Sequence, residues 1–303
     1  MNFDQLPNFI IIGAAKSGTT TLFEAIGQNP SVFAATKKEI KFFSRDEKYK
    51  MGVDWYQETF FKNAEMYPVR MEASPAYLTW SEKTAPRIKQ VYQDSPLKFA
   101  AIFRDPVKRA YSHYWMRFHQ GTETLSFSEA IYSEESRLKE NWEMLSTRGD
   151  GLYGYFRAGC YATKLKPYLE LFPRENLFFL LQEDLQNDYD KSIGSLLSFL
   201  GIEQQHQFIA FKSNEAAVPR NKNVYSLYSR VKNSKVQKIF ELLFPRKTRK
   251  LFRQSFIFKP VQNPPMEEEI KQYLYSRYID EVKQFELIIN RDLSHWYSNG
   301  STN

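Results

Sequence analysis

Short apolar runs alternate with longer amphipathic stretches along the first two thirds of this chain, and that alternation limits the fold more than any other feature. Such a pattern is buried well by a parallel sheet with helices on both faces. Phe9–Ile12 reads as a buried strand and Thr19–Gly27 as the helix that follows it. Val69–Glu72 reads as a second strand with a helix over Glu82–Tyr92. Lys98–Phe103 is a third strand, and Pro106–Phe118 a helix with proline in its first turn. Tyr155–Leu171 reads as helical, Leu177–Leu181 as a strand, and Tyr189–Leu200 as a helix ending at Gly201. Beyond about Gln205 the strand signals stop. Val224–Phe244 and Met266–Asn290 read as helices on either side of a basic, proline-bearing segment, Pro245–Pro265. The expectation is a single α/β domain over residues 1–303, with a core at about 8–204 and a helical C-terminal cap at about 205–303. No internal repeat or low-complexity segment interrupts it.

Composition excludes several classes. Aromatic residues make up 16% of the 303 residues, which argues against disorder. The net charge of +7 favours anionic ligands, yet the excess is too mild to indicate nucleic acid. Cys160 is the single cysteine, so no intrachain disulfide forms. Met1–Pro7 lacks a basic region followed by an apolar stretch, and runs such as Phe9–Ile12 are too short to span a bilayer. A soluble cytoplasmic protein without an integral membrane segment is the simplest expectation.

The first chemical signal is Ile12-Gly13-Ala14-Ala15-Lys16-Ser17-Gly18-Thr19-Thr20-Thr21, between the first strand and its helix. Small residues let the backbone wrap a phosphate, and the first helical N–H groups then point at it. Lys16 adds a cation; Ser17, Thr19, Thr20 and Thr21 add hydroxyl donors. A Walker A loop places its lysine after the last glycine, whereas Lys16 precedes Gly18. A plain strand–helix turn with a threonine cap is the simpler alternative. A second signal is Phe103-Arg104-Asp105-Pro106-Val107-Lys108-Arg109-Ala110-Tyr111-Ser112. Arg104 ends a strand, where ligands of open α/β sheets gather. Ser112 lies two helical turns on, so a guanidinium and a hydroxyl could share one phosphate. A local carboxylate for Arg104 and solvent for Ser112 fit these residues equally well.

These two motifs, in this order, resemble the 5′-phosphosulfate loop and the 3′-phosphate motif of sulfotransferases that use 3′-phosphoadenosine 5′-phosphosulfate (PAPS). The chain looks most like the glycosaminoglycan sulfotransferases and their bacterial relatives, over residues 8 to about 202 and again at Arg291–Trp296. The resemblance implies a P-loop-like parallel sheet flanked by helices, with PAPS as co-substrate. It assigns the phosphosulfate to Lys16 through Thr21 and the 3′-phosphate to Arg104 and Ser112. The Arg157-x-Gly159-x-Tyr161 segment also looks like the family, which implies that Tyr161 lies near the nucleotide; alone, Tyr161 reads as a packing residue.

Thr36-Lys37-Lys38-Glu39-Ile40-Lys41-Phe42-Phe43 is the candidate base segment. Taken alone, Thr36-x-x-Glu39 reads first as a capping box. Sulfuryl transfer to an alcohol benefits from a base, however, and neighbouring lysines could steady the departing phosphate. In the glycosaminoglycan enzymes a Lys-Glu-x-x-Phe-Phe motif carries that base, which implies Glu39 here. His113 and His119 are the alternative bases. Many of those enzymes carry lysine where this chain has Ala73, so either Lys41 replaces it or the substrate differs. The Arg-Lys-Gly-x-x-Gly loop of the cytosolic hormone and phenol enzymes is absent, and Arg220 and Lys222 are expected to close the nucleotide site instead. Lys16 would stabilise the leaving phosphate without a metal. The acceptor could be a glycan, a glycolipid or a small metabolite, through a hydroxyl or an amine. The rivals are a small-molecule kinase using ATP and magnesium, and a non-catalytic anion or nucleic-acid binder.

Overall fold

The computed structural model describes residues 5–149, 151–203, 217–219, 258–260 and 262–297. Phe9-Ile10-Ile11-Ile12-Gly13 forms β1 (Phe9–Gly13), and every residue of it is buried. A strand apolar on both faces has to be covered on both. β1 sits third in a five-stranded sheet, between β3 (Val69–Ala73) and β4 (Lys98–Phe103), with β2 (Val32–Ala34) and β5 (Leu177–Leu181) at the edges. All four pairings are parallel. The C-terminal ends of β1, β3 and β4 therefore lie side by side, and the loops that leave them share one edge.

Alternate residues of each strand face opposite layers. Phe9, Ile11, Ala100 and Ile102 join Leu22 and Ile26 of the helix Thr19–Ile26 and Ile193 and Leu197 of the helix Tyr189–Leu200. On the other face Phe99 packs edge-on against Tyr168 and Phe172, at centroid distances of 5.5 and 4.7 Å. Phe103 meets Tyr161 at 4.9 Å and Phe285 at 4.6 Å. Phe285 belongs to the C-terminal helix Glu268–Ile289, so that helix covers the sheet. Each fully buried Phe contributes about 1.5–3 kcal/mol. The parallel sheet flanked by helices is the architecture expected from the sequence.

The expected strands agree with the observed ones within a residue at each end, and three differences are instructive. β2 has only three residues and no periodic signal. Tyr155–Leu171 is not one helix: a 3₁₀ turn spans Arg157–Gly159 and the α-helix starts at Tyr161. The Glu134 carboxylate takes the N–H groups of Phe156 and Arg157, at 2.6 and 2.8 Å, and so diverts them from helical bonding. Strands also occur beyond Gln205, where none was expected: Ala217–Pro219 pairs antiparallel with Phe258–Pro260. Three-residue strands joined across so long a separation leave no local pattern to read.

The chain divides into two compact units. One comprises residues 1–114, 125–211 and 266–303 and holds the five-stranded sheet; the other comprises 115–124 and 212–265. Within the second, Trp115 stacks on His119 at 5.2 Å, and the His119 Nε2 lies 2.8 Å from Asn263 Oδ1. The helix expected at Val224–Phe244 and most of the basic segment lie outside the described residues. Among the described residues no helix is long and apolar enough to cross a membrane.

Gly13 marks the close approach on which the loop after β1 depends. A Cβ there would sit 2.6 Å from the Leu78 Cβ, nearer than real atoms approach. Gly13→Ala is expected to cost about 1–3 kcal/mol by overpacking. Urea unfolding checks this, with a lower midpoint at an unchanged slope.

Candidate active site

The residues after β1 form a loop with the features of an anion cradle. Ala14 donates its N–H to Ile102 O on β4 at 2.8 Å, which fixes where the loop begins. Lys16 and Gly18 take positive φ values of 73° and 112°, and Gly18 opens the helix Thr19–Ile26 without a side-chain cap. The N–H groups of the first helical turn are thus left by the protein for an external acceptor. Ser17 is fully buried beside the Tyr161 hydroxyl, and among the described residues its Oγ completes no well-formed hydrogen bond. Buried hydroxyls are usually hydrogen-bonded. An anion in the loop would offer this one an acceptor, so the residues present fit a phosphate or phosphosulfate.

Glu39 lies on the loop after β2. No helix forms at Thr36–Glu39, so the capping-box alternative is not realised. The chain instead follows the end of β3: Glu39 donates its N–H to Ala73 O at 2.8 Å, and Lys41 donates its own to Ser74 Oγ at 3.0 Å. The Glu39 side chain is 48% exposed, with Lys38 Nζ at 3.6 Å and Lys41 Nζ at 3.9 Å. Lys38 also reaches Thr19 Oγ1, at 3.5 Å. One ammonium therefore touches both the candidate base and the first residue of the phosphate-loop helix. Burial lowers the Lys38 pKa, and the Glu39 charge works against that shift. The sequence suggests that the lysines flanking Glu39 steady the departing phosphate, but it does not show that Lys38 reaches Thr19. The contact joins residues 19 positions apart, and no spacing rule announces it.

On the other side of β1, Arg104 follows β4. Burial lowers its pKa, which the Asp105 charge opposes, and a bound anion would compensate further. Asp105 Oδ1 accepts the N–H groups of Val107 and Lys108, and its Oδ2 accepts the Tyr275 hydroxyl at 2.9 Å. Ser112 lies half-buried two turns into the helix Pro106–His119. Tyr161 is buried and donates its hydroxyl to Arg104 O at 2.7 Å, and burial pushes its pKa up to about 12. Its ring packs on Phe103 and Phe285, so it braces the backbone of the arginine. His113 is buried edge-on against Tyr155 at 5.1 Å. Arg220 and Lys222 lie outside the described residues.

Beneath this helix, Arg109 is fully buried and donates to Tyr155 O. Burial pushes the nearby Glu134 carboxyl from 4.5 up to about 7. The folded value exceeds the unfolded one, so the folded state holds an extra proton between them. That contribution to stability is complete below about pH 4.5 and is lost as pH rises through about 7. Wild type is expected to lose about 2 kcal/mol more stability than Glu134→Gln between about pH 5 and pH 8. Urea titrations of both proteins at the two pH values check this.

The family model described as "Sulfotransferase domain" covers residues 6–238. The chain belongs to the sulfotransferase family. Heparan sulfate glucosamine 3-O-sulfotransferase 3A1 of Mus musculus is 34% identical over 204 residues, which are 66% of this chain and 47% of that protein. This chain thus spans about half the length of the heparan sulfate 3-O-sulfotransferases it matches. Membrane-associated sulfotransferase kil1 of Dictyostelium discoideum is 26% identical over 95% of this chain and 66% of its own length. Among solved structures, a sulfotransferase from Alicyclobacillus acidocaldarius aligns with a TM-score of 0.67 at 26% identity, covering 96% of this chain and 98% of that one.

Proposed function

We propose that this sulfotransferase moves a sulfuryl group from PAPS to a hydroxyl of a glycan, with Glu39 as general base. The observation that carries the reading is the reach of Lys38 from Thr19, at the phosphate loop, to the Glu39 carboxylate. It supports a half-exposed Glu39 acting as base beside the loop that would hold the phosphosulfate. Lys16, Ser17, Gly18, Thr19, Thr20 and Thr21 would hold the phosphosulfate, and Arg104 and Ser112 the 3′-phosphate. Bound PAPS supplies an activated sulfuryl group. Glu39 accepts the hydroxyl proton of the acceptor. Lys16 and Lys38, with the N–H groups of the first helical turn, stabilise charge that develops on the leaving phosphate oxygen. Lys41 Nζ lies 3.9 Å from the Glu39 carboxylate and would stand in for the lysine that many glycosaminoglycan enzymes carry at the position of Ala73. Most of the rate enhancement then comes from positioning and electrostatics, as in phosphoryl transfer. The glycan acceptor follows from the names of the heparan sulfate relatives.

Calorimetry with adenosine 3′,5′-bisphosphate in the absence of metal, beside ATP with magnesium, tests the nucleotide assignment. Tight bisphosphate binding that Lys16→Ala and Arg104→Ala both weaken supports it. Binding of ATP–magnesium with no bisphosphate binding would mean that the loop serves a kinase. A heparan sulfate oligosaccharide and labelled PAPS then test the acceptor class.

A further inference from the structure

The Glu39 turn rests on a buried carboxylate that the proposed reaction does not touch. Glu72, on β3, has no solvent exposure. It accepts hydroxyl hydrogens from Ser74 at 2.7 Å, from Tyr77 at 2.8 Å and from Tyr56. Two of these hydroxyls reach onward. With its hydrogen committed to Glu72, the Ser74 oxygen presents a lone pair to the Lys41 N–H at 3.0 Å. The Tyr77 oxygen in the same way faces the Phe43 N–H at 3.4 Å. Lys48 donates to Ile40 O in the same turn. Glu39 and Lys41 hold φ values of 58° and 60°, a left-handed conformation that residues with a Cβ adopt rarely. Such backbone persists only where its surroundings over-determine it.

We infer that Glu72 is a positioning residue that holds the Glu39 turn through the Ser74 and Tyr77 hydroxyls. This rests on Glu39 being the base. A serine hydroxyl rotates freely and both donates and accepts. Glu72 removes that freedom by taking the hydrogen, which leaves Ser74 an acceptor aimed at Lys41. Ser74 and Tyr77 share the Oε1 oxygen, which glutamine would retain; leucine at position 72 removes every acceptor and so frees both hydroxyls. Tyr56 provides the control. Its ring stacks on Phe42 at 4.3 Å, and its hydroxyl reaches Glu72 without touching the backbone of the turn.

The test compares wild type with Glu72→Leu, Ser74→Ala, the double variant, Tyr56→Phe and Glu39→Gln, all as full chains. Amide hydrogen exchange over residues 36–45 needs no acceptor. Exchange at Lys41 is expected to rise at least about tenfold in Glu72→Leu and in Ser74→Ala, and to stay within about threefold of wild type in Tyr56→Phe. The double variant is expected to match the singles, because both act through one hydrogen-bonded chain. Turnover with a heparan sulfate oligosaccharide is expected to fall about 10- to 100-fold in Glu72→Leu and Ser74→Ala, with the KM for PAPS unchanged. Unchanged exchange in both variants overturns the inference. So does a full additive loss in the double variant. Faster exchange with wild-type turnover, where Glu39→Gln is inactive, also overturns it. Wild-type turnover in Glu39→Gln instead removes the base assignment, and the exchange data still decide whether Glu72 anchors the turn. Should Glu72→Leu fail to fold, Ser74→Ala carries the comparison, since it breaks the same chain with a smaller change.

Discussion

Glutamine at position 39 is expected to leave binding of adenosine 3′,5′-bisphosphate within about threefold of wild type while lowering turnover about 10²- to 10⁴-fold, the usual worth of a general base. The side chain keeps its size, and the main-chain bond from Glu39 N–H to Ala73 O does not depend on it. The turn therefore survives the change. What is lost is the carboxylate that takes a proton, together with its charge on Lys38 and Lys41, 3.6 and 3.9 Å away. Lys38 keeps its contact with Thr19, so the anion cradle remains complete. Isothermal titration and initial-rate measurements on one preparation separate the two effects. An equal loss of binding and turnover would show that Glu39 organises the nucleotide site and does not act on the acceptor.

Arg104→Ala is expected to weaken adenosine 3′,5′-bisphosphate binding by about 2–4 kcal/mol, or about 30- to 1,000-fold, because it removes a charged partner from a phosphate in a partly desolvated site. Adenosine 5′-phosphate, which lacks the 3′-phosphate, should bind wild type and variant alike within about threefold. That ligand pair isolates the contact without reliance on turnover. The backbone of Arg104 is braced independently by the Tyr161 hydroxyl at 2.7 Å, and Asp105 anchors the helix that follows, so truncation of the side chain leaves the fold in place. Equal weakening of both ligands would place Arg104 near the 5′ end of the nucleotide and reverse the assignment of the two motifs.

The part of the site carried by contiguous chain was legible before the structure. The stretch from Ile12 to Thr21 specifies strand, small-residue turn and helix by local rules, and Phe103 to Ser112 does the same for the second motif. Glu39 was less legible, because Thr36-x-x-Glu39 satisfies a capping pattern as well as a base motif. Ala73 O and Ser74 Oγ remove the capping alternative by drawing the backbone along the end of β3, so that no helix starts at Thr36. Lys38, Glu72 and Ser74 gave no sequence signal for their contacts. Glu72 reads as one more residue of a strand, and only burial among three hydroxyls makes it a hub.

Strand–helix alternation by itself determined a parallel sheet covered on both faces, because strands apolar on both sides have no other way to leave water. The order of the two phosphate motifs likewise determined the family. The tertiary structure decided which loops meet. Placing β1 between β3 and β4 brings three strand ends to one edge, and Lys38 there spans from Thr19 to Glu39. Periodicity reports how each residue relates to its near neighbours along the chain. Contacts across 19 or 33 positions depend on strand order, which local pattern leaves open.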